Sequence, residues 1–125
     1  MKPISILLLT FLSFSLFSQS FTGEQALQGY GVFGEKLTFI FDETLYNVQP
    51  EKVVVTGEFR SWDNSMSTDT WGLNKTGQQW LLTIDNADFT VVEPNTKFKF
   101  RINDGEWLQP PSDAPNEKGG DLVFM

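Results

Sequence analysis

The stretch that decides the fold is Thr96-Lys-Phe-Lys-Phe-Arg-Ile-Asn-Asp-Gly-Glu-Trp-Leu108. Phe98, Phe100 and Ile102 alternate with Lys97, Lys99 and Arg101. Period-two alternation is the signature of a half-buried strand, apolar side chains inward and polar ones outward. Asn103-Asp104-Gly105 supplies turn chemistry, and Glu106-Trp107-Leu108 reads as the return strand of a hairpin. Two registers compete. A two-residue loop at Asp104-Gly105 sets Ile102 opposite Trp107 and sends the indole into the core, because directly opposed residues share a face. A three-residue loop at 103–105 sets Arg101 opposite Trp107 and leaves the indole outside, diagonal to Lys99. Asn-Asp-Gly suits the second, a type I turn followed by a left-handed residue, a place glycine takes most readily. The outer face of this hairpin then carries a strip of cations beside a tryptophan, in a chain whose net charge is −7. Such a strip is a place to look for a ligand.

Working outward, the same alternation recurs. Lys36 to Phe41 predicts a strand with Leu37, Phe39 and Phe41 on one face, and Gln78 to Ile84 another with Trp80, Leu82 and Ile84 on one face. Lys52 to Phe59 predicts a strand around the β-branched run Val53-Val54-Val55-Thr56, of the kind found in central strands, with Gly57 near its end where a bulge or close approach is common. Tyr30 to Phe33 reads as a short edge strand, and Asp121 to Met125 as a last strand. The connections are 42–51, a long one over 60–76 holding Trp62, Met66 and Trp71, and an irregular loop from Ser112 to Gly120. Phe89 to Pro94 reads as a short strand or a covering loop. Pro110-Pro111 ends the hairpin, since proline cannot donate to a ladder. No stretch shows a convincing helical period. Many short strands with turn signals between them predict an all-β fold, an antiparallel β-sandwich.

Residues 1–20 stand apart. Lys2 is a short basic start, Ile4 to Phe17 is apolar apart from Ser and Thr, and Ser18-Gln19-Ser20 offers small residues for cleavage. This predicts a secretory signal peptide over 1–20 and a mature domain over 21–125, secreted or periplasmic. The apolar run is too short to span a membrane comfortably, so no membrane insertion is expected after cleavage. With no cysteine in the chain, neither a lipid anchor on the N-terminus nor a disulfide is available. Losing Lys2 takes the charge from −7 to −8. That acidity argues against nucleic acid and anionic membrane surfaces as partners. The absence of histidine and cysteine removes the commonest metal ligands and the commonest general base. Four tryptophans, Trp62, Trp71, Trp80 and Trp107, are many for the size, and an exposed pair needs a reason.

The order of motifs resembles a known family. Gly57-Glu58-Phe59-Arg60-Ser61-Trp62 follows a valine-rich strand; a tryptophan-led strand comes next, then Phe98-Lys99-Phe100, then Asp104-Gly105-Glu106-Trp107, a proline and a glycine-led apolar end. This order, from about Lys52 to Phe124, is similar to the glycogen-binding domain of the AMP-activated protein kinase β subunit. That domain is a carbohydrate-binding module of family 48, among the early-set immunoglobulin-like domains. The resemblance implies an immunoglobulin-like sandwich that binds α-glucan through two tryptophans, a lysine and an asparagine. Carried over by motif, Trp62 and Trp107 match the tryptophans and Lys99 the lysine. The asparagine falls near Asp121, a departure, because a carboxylate accepts hydrogen bonds from hydroxyls but cannot donate as an amide does. Arg60-Ser61 stand where the family has paired asparagines, and the hairpin is one residue longer, which the three-residue loop would absorb. Asn116 and Lys118 lie in a loop that borders the sugar in the family.

The chemistry fits a sugar. Sugars present C–H-rich faces, which an indole covers, and hydroxyl edges, which Lys, Asn or Asp bind. Two indoles at an angle suit a curved α-linked glucan better than a flat β-linked one. The competing interpretation makes Trp62 and Trp107 core or loop-covering residues and Lys97, Lys99 and Arg101 a solvated face. Trp80 is expected in the core and Trp71 as a loop anchor. Glu58, Asp63, Asp104 and Glu106 are candidate carboxylates by neighbourhood only, and nothing in the sequence shows two of them converging as glycoside hydrolysis requires. The expectation is a non-catalytic carbohydrate-binding module for glycogen, starch or maltooligosaccharides, accessory to polysaccharide degradation, with no cofactor and no metal. Its candidate site is Trp62, Lys99, Trp107 and Asp121, joined by Arg60 and Asn116. The alternative is a structural early-set module that packs against a glycoside hydrolase and binds no sugar itself.

Overall fold

A computed structural model describes residues 21–125; the expected signal peptide over 1–20 lies outside the described residues. In chain order the elements are α1 (Gly23–Gln28), β1 (Tyr30–Phe33), β2 (Lys36–Asp42), α2 (Glu43–Tyr46), β3 (Val53–Gly57), β4 (Asn74–Thr76), β5 (Gln79–Asp85), β6 (Lys97–Ile102), β7 (Glu106–Trp107), β8 (Glu117–Lys118) and β9 (Asp121–Val123). Short 3-10 turns occupy Glu58–Arg60 and Ala87–Phe89. One sheet runs β1-β2-β5-β4, and the other runs β3-β6-β9-β8 with β7 also paired to β6. Every pairing is antiparallel.

The sheets meet through the side chains that the alternation points inward. Phe39 and Phe41 of β2 set their rings 5.2 Å from Phe98 and 5.5 Å from Phe100 of β6, edge to face. All four are essentially inaccessible to solvent. Burying each such side chain contributes about 1.5–3 kcal/mol, and edge-to-face geometry adds to it. Trp80 lies in the same core, as expected. The result is an antiparallel β-sandwich that contains the predicted strands and two more. β4 lies within 60–76, expected as a plain connection, and β8 within 112–120, expected as an irregular loop. At three and two residues each is too short for alternation to show.

The hairpin takes the three-residue loop. Arg101 pairs with Trp107 and Ile102 with Glu106, so the indole stands on the outer face. The turn differs in detail from the expected type I form. Asn103 as well as Gly105 has positive φ, at 54° and 122°. Asn103 is held there from outside: its side-chain oxygen accepts from Glu51 N at 2.8 Å and its own N–H donates to Lys52 O at 3.0 Å. β3 pairs along one whole edge of β6, so β7 and β9 share the other edge, β7 on its C-terminal half and β9 on its N-terminal half.

Two further expectations are corrected. The chain contains short helices. α1 is six residues long and α2 four, below the length at which periodicity shows. α1 starts on a capping box between Thr22 and Gln25, and α2 on the Asp42 carboxylate. The valine run of β3 is not central in its sheet but terminal. It is buried on both faces all the same, because 60–73 folds over it. Val55 N donates to Trp71 O at 3.1 Å and Leu73 N to Val53 O at 2.9 Å along its free edge. Thr56 Oγ1 donates to Asp63 O at 3.0 Å from its outer face. Phe89 to Pro94 is a covering loop that seats the buried Val92.

Candidate functional site

That folded-over connection carries Trp62 to the outer face of the second sheet. On that face Thr56 pairs with Lys99 and Val54 with Arg101. After the 3-10 turn, Ser61 and Trp62 both take left-handed backbone, with φ of 51° and 55°. Trp62 N donates to Gly57 O at 2.9 Å and Asp63 N to Arg60 O at 3.0 Å, which fix that turn. Consecutive non-glycine residues in this region are strained, and such strain concentrates at functional sites. Gly57 permits the approach of β3 to β6: a Cβ there would collide with the Lys97 carbonyl oxygen and lie 2.9 Å from Phe98 Cα.

Trp62 and Trp107 come together. Their ring centroids are 6.2 Å apart and their planes are tilted by 53°. Trp62 is half-buried and Trp107 is 40% exposed. They open onto a shallow pocket of about 490 Å³ whose other walls are Lys99, Asp121, Lys97, Glu58 and Asn64. Lys97 pairs with Val123 and Phe98 with Leu122; one step further along that register brings Asp121 beside Lys99. The Lys99 ammonium lies 3.8 Å from the Asp121 carboxylate, with both side chains largely shielded. That is an ion pair too long to be a hydrogen bond, so both groups keep capacity for ligand hydroxyls.

Arg60 and Asn116 are not in the pocket. Arg60 and Trp62 line different hollows. The Arg60 guanidinium lies 5.7 Å over Trp71, donates to Val55 O at 2.8 Å and stands 3.9 Å from the Asp63 carboxylate. It ties the connection to β3. Burial pulls it below the usual arginine range; Asp63 opposes this and the Arg101 charge adds to it. Asn116 is buried and its amide nitrogen donates to Gln28 O at 2.9 Å and Val123 O at 2.8 Å. It anchors the last loop to α1 and β9. Lys118 is exposed on β8, away from the pocket walls.

Three pocket residues escaped the sequence reading as ligands. Lys97 belongs to the alternating strip but had no positional argument. Glu58 is turned in by the 3-10 turn and accepts from Lys97 N at 2.8 Å. Asn64 supplies an amide two residues after Trp62; its only signal is that proximity. Two carboxylates, Glu58 and Asp121, thus line the pocket, each engaged by a strand β6 donor or cation. No protein-family model matches the chain, and no curated protein sequence matches it.

Proposed function

We propose that this protein is a secreted, non-catalytic carbohydrate-binding module that takes α-glucan (glycogen, starch or maltooligosaccharide), accessory to polysaccharide degradation. One observation carries the proposal: two indoles at 6.2 Å and 53° beside an open pocket with two lysines, two carboxylates and an amide on its walls. Successive glucose units of an α-linked chain turn relative to one another, so tilted ring planes stack on two of them where a flat β-linked chain meets only one. Lys99 donates to hydroxyl oxygens, and Asp121 accepts from hydroxyls, in place of the asparagine of the family that the motif order resembles. The early-set immunoglobulin-like classification belongs to the same proposal. A shallow site of this kind binds with Kd on the order of micromolar to millimolar, roughly −8 to −4 kcal/mol.

Affinity electrophoresis of residues 21–125 through gels containing glycogen tests it. Retardation by glycogen, absent in cellulose derivatives and lost in both Trp62→Ala and Trp107→Ala, is the expected pattern. Unchanged mobility of the unsubstituted protein in glycogen sinks the proposal.

A second reading rests on a different surface. Val32 and Phe89 are each 48% exposed and line a small hollow with the buried Phe124; Phe33 and Met125 are also exposed. Exposed apolar groups of this size mark contact surfaces. They suit an early-set module that packs against a partner domain such as a glycoside hydrolase and leaves the sugar to it.

A further inference from the structure

Arg101 sits where the two tryptophan-bearing segments meet. Its guanidinium carbon lies 4.5 Å from the centre of the Trp107 ring. Nη1 donates to Asn64 O at 2.7 Å, on the connection that carries Trp62. Nε and Nη2 both donate to Gly105 O, at 3.1 and 2.7 Å, in the hairpin loop that leads to Trp107. Among the described residues its partners are carbonyls and a ring, with no carboxylate in salt-bridge range. The backbone is built around it: a Cβ at Gly105, where φ is +122°, would lie 2.6 Å from Arg101 Nη2. Only a planar fork of donors does all of this at once. A lysine ammonium at this position cannot stack on the ring and bond both carbonyls together.

We propose that Arg101 is a positioning residue that locks the angle between Trp62 and Trp107 and so makes the site selective for a curved glycan chain. The selectivity half rests on the carbohydrate reading above; the locking half does not. Arg101 covers one face of Trp107 and ties down the segment carrying Trp62, so the pair is held at its tilt before ligand arrives. Pre-set geometry of this kind raises affinity by removing the ordering cost of binding.

Two indoles in contact at a fixed tilt give an exciton couplet in circular dichroism, which needs no sugar. The test compares residues 21–125 unsubstituted with Trp62→Phe, Trp107→Phe, Arg101→Met and Arg101→Lys. Both Trp→Phe changes abolish the couplet, which assigns it to the pair. Arg101→Met loses most of the couplet, binds maltoheptaose roughly tenfold more weakly and narrows the preference for maltoheptaose over cellohexaose; Arg101→Lys moves the same way. Wild-type couplet and wild-type preference in both Arg101 variants overturn the proposal. If Arg101→Met fails to melt cooperatively, Arg101→Lys decides. If the unsubstituted protein binds no glucan, the couplet alone decides the locking half, and the carbohydrate reading fails separately.

Discussion

At the scale of single residues, the site depends on two backbone conditions that few side chains satisfy. Ser61 and Trp62 hold left-handed backbone, which turns the indole onto the sheet. Gly57 lets β3 come close enough to β6 to form that sheet face. Gly57→Ala places a Cβ against backbone that has no room to give, and should cost about 1–3 kcal/mol, measured by urea denaturation, with the loss of glucan affinity larger than that of Ser61→Ala. A Gly57→Ala protein as stable as the parent would show that the strands accommodate the methyl group. Gly57 was legible beforehand as a glycine closing a valine run. The left-handed pair was not, because neither serine nor tryptophan favours that region. Arg101 was legible only as a member of a charged strip: its partners are backbone carbonyls, which a sequence does not display.

At the scale of elements, α2 is joined to the first sheet by Glu43. Its Oε2 accepts from Lys75 Nζ of β4 at 2.6 Å and from Trp80 Nε1 of β5 at 2.8 Å, and the residue is buried. The Lys75 hydrogen bond, with that of Trp80, holds the Glu43 carboxyl below its ordinary range against the cost of burial. The neighbouring Asp42 is raised by burial but lowered further by hydrogen bonds from Thr44 and Gln79, for a net decrease. A carboxyl whose pKa is depressed on folding adds stability that is complete above its unfolded pKa and fades as pH falls through the folded one. Melting temperature should therefore fall on acidification below about pH 4.3. Glu43→Gln should shrink that acid limb, leaving the part due to Asp42, while lowering stability at neutral pH. An acid limb identical in Glu43→Gln and parent would remove Glu43 from this role. None of this was legible: 42–51 read as a plain connection, because a four-residue helix has no period and Glu43 owes its burial to residues more than thirty positions away.

For the whole molecule, the sandwich was legible because period-two alternation in β2, β5 and β6 directly encodes which side chains fill the space between sheets. Phe39, Phe41, Phe98 and Phe100 all occupy that space. The place of β3 was not legible. A strand buried on both faces reads as central, and here a loop rather than a neighbouring strand supplies the cover. The site was half legible. The outward place of Trp107 follows from hairpin register, and Trp62, Lys99 and Asp121 from motif order. Arg60 and Asn116 were misplaced because each satisfies backbone carbonyls inside the fold instead of facing the pocket. What the molecule presents is one sheet face on which two tilted indoles and the Lys99–Asp121 pair converge, in a protein otherwise strongly acidic. Calorimetric titration of residues 21–125 with maltoheptaose, with cellohexaose in parallel, bears on that face most directly. Saturable heat with maltoheptaose at a Kd of about micromolar to millimolar, and none with cellohexaose, is the predicted result. No heat with maltoheptaose, or equal binding of both chains, would contradict it.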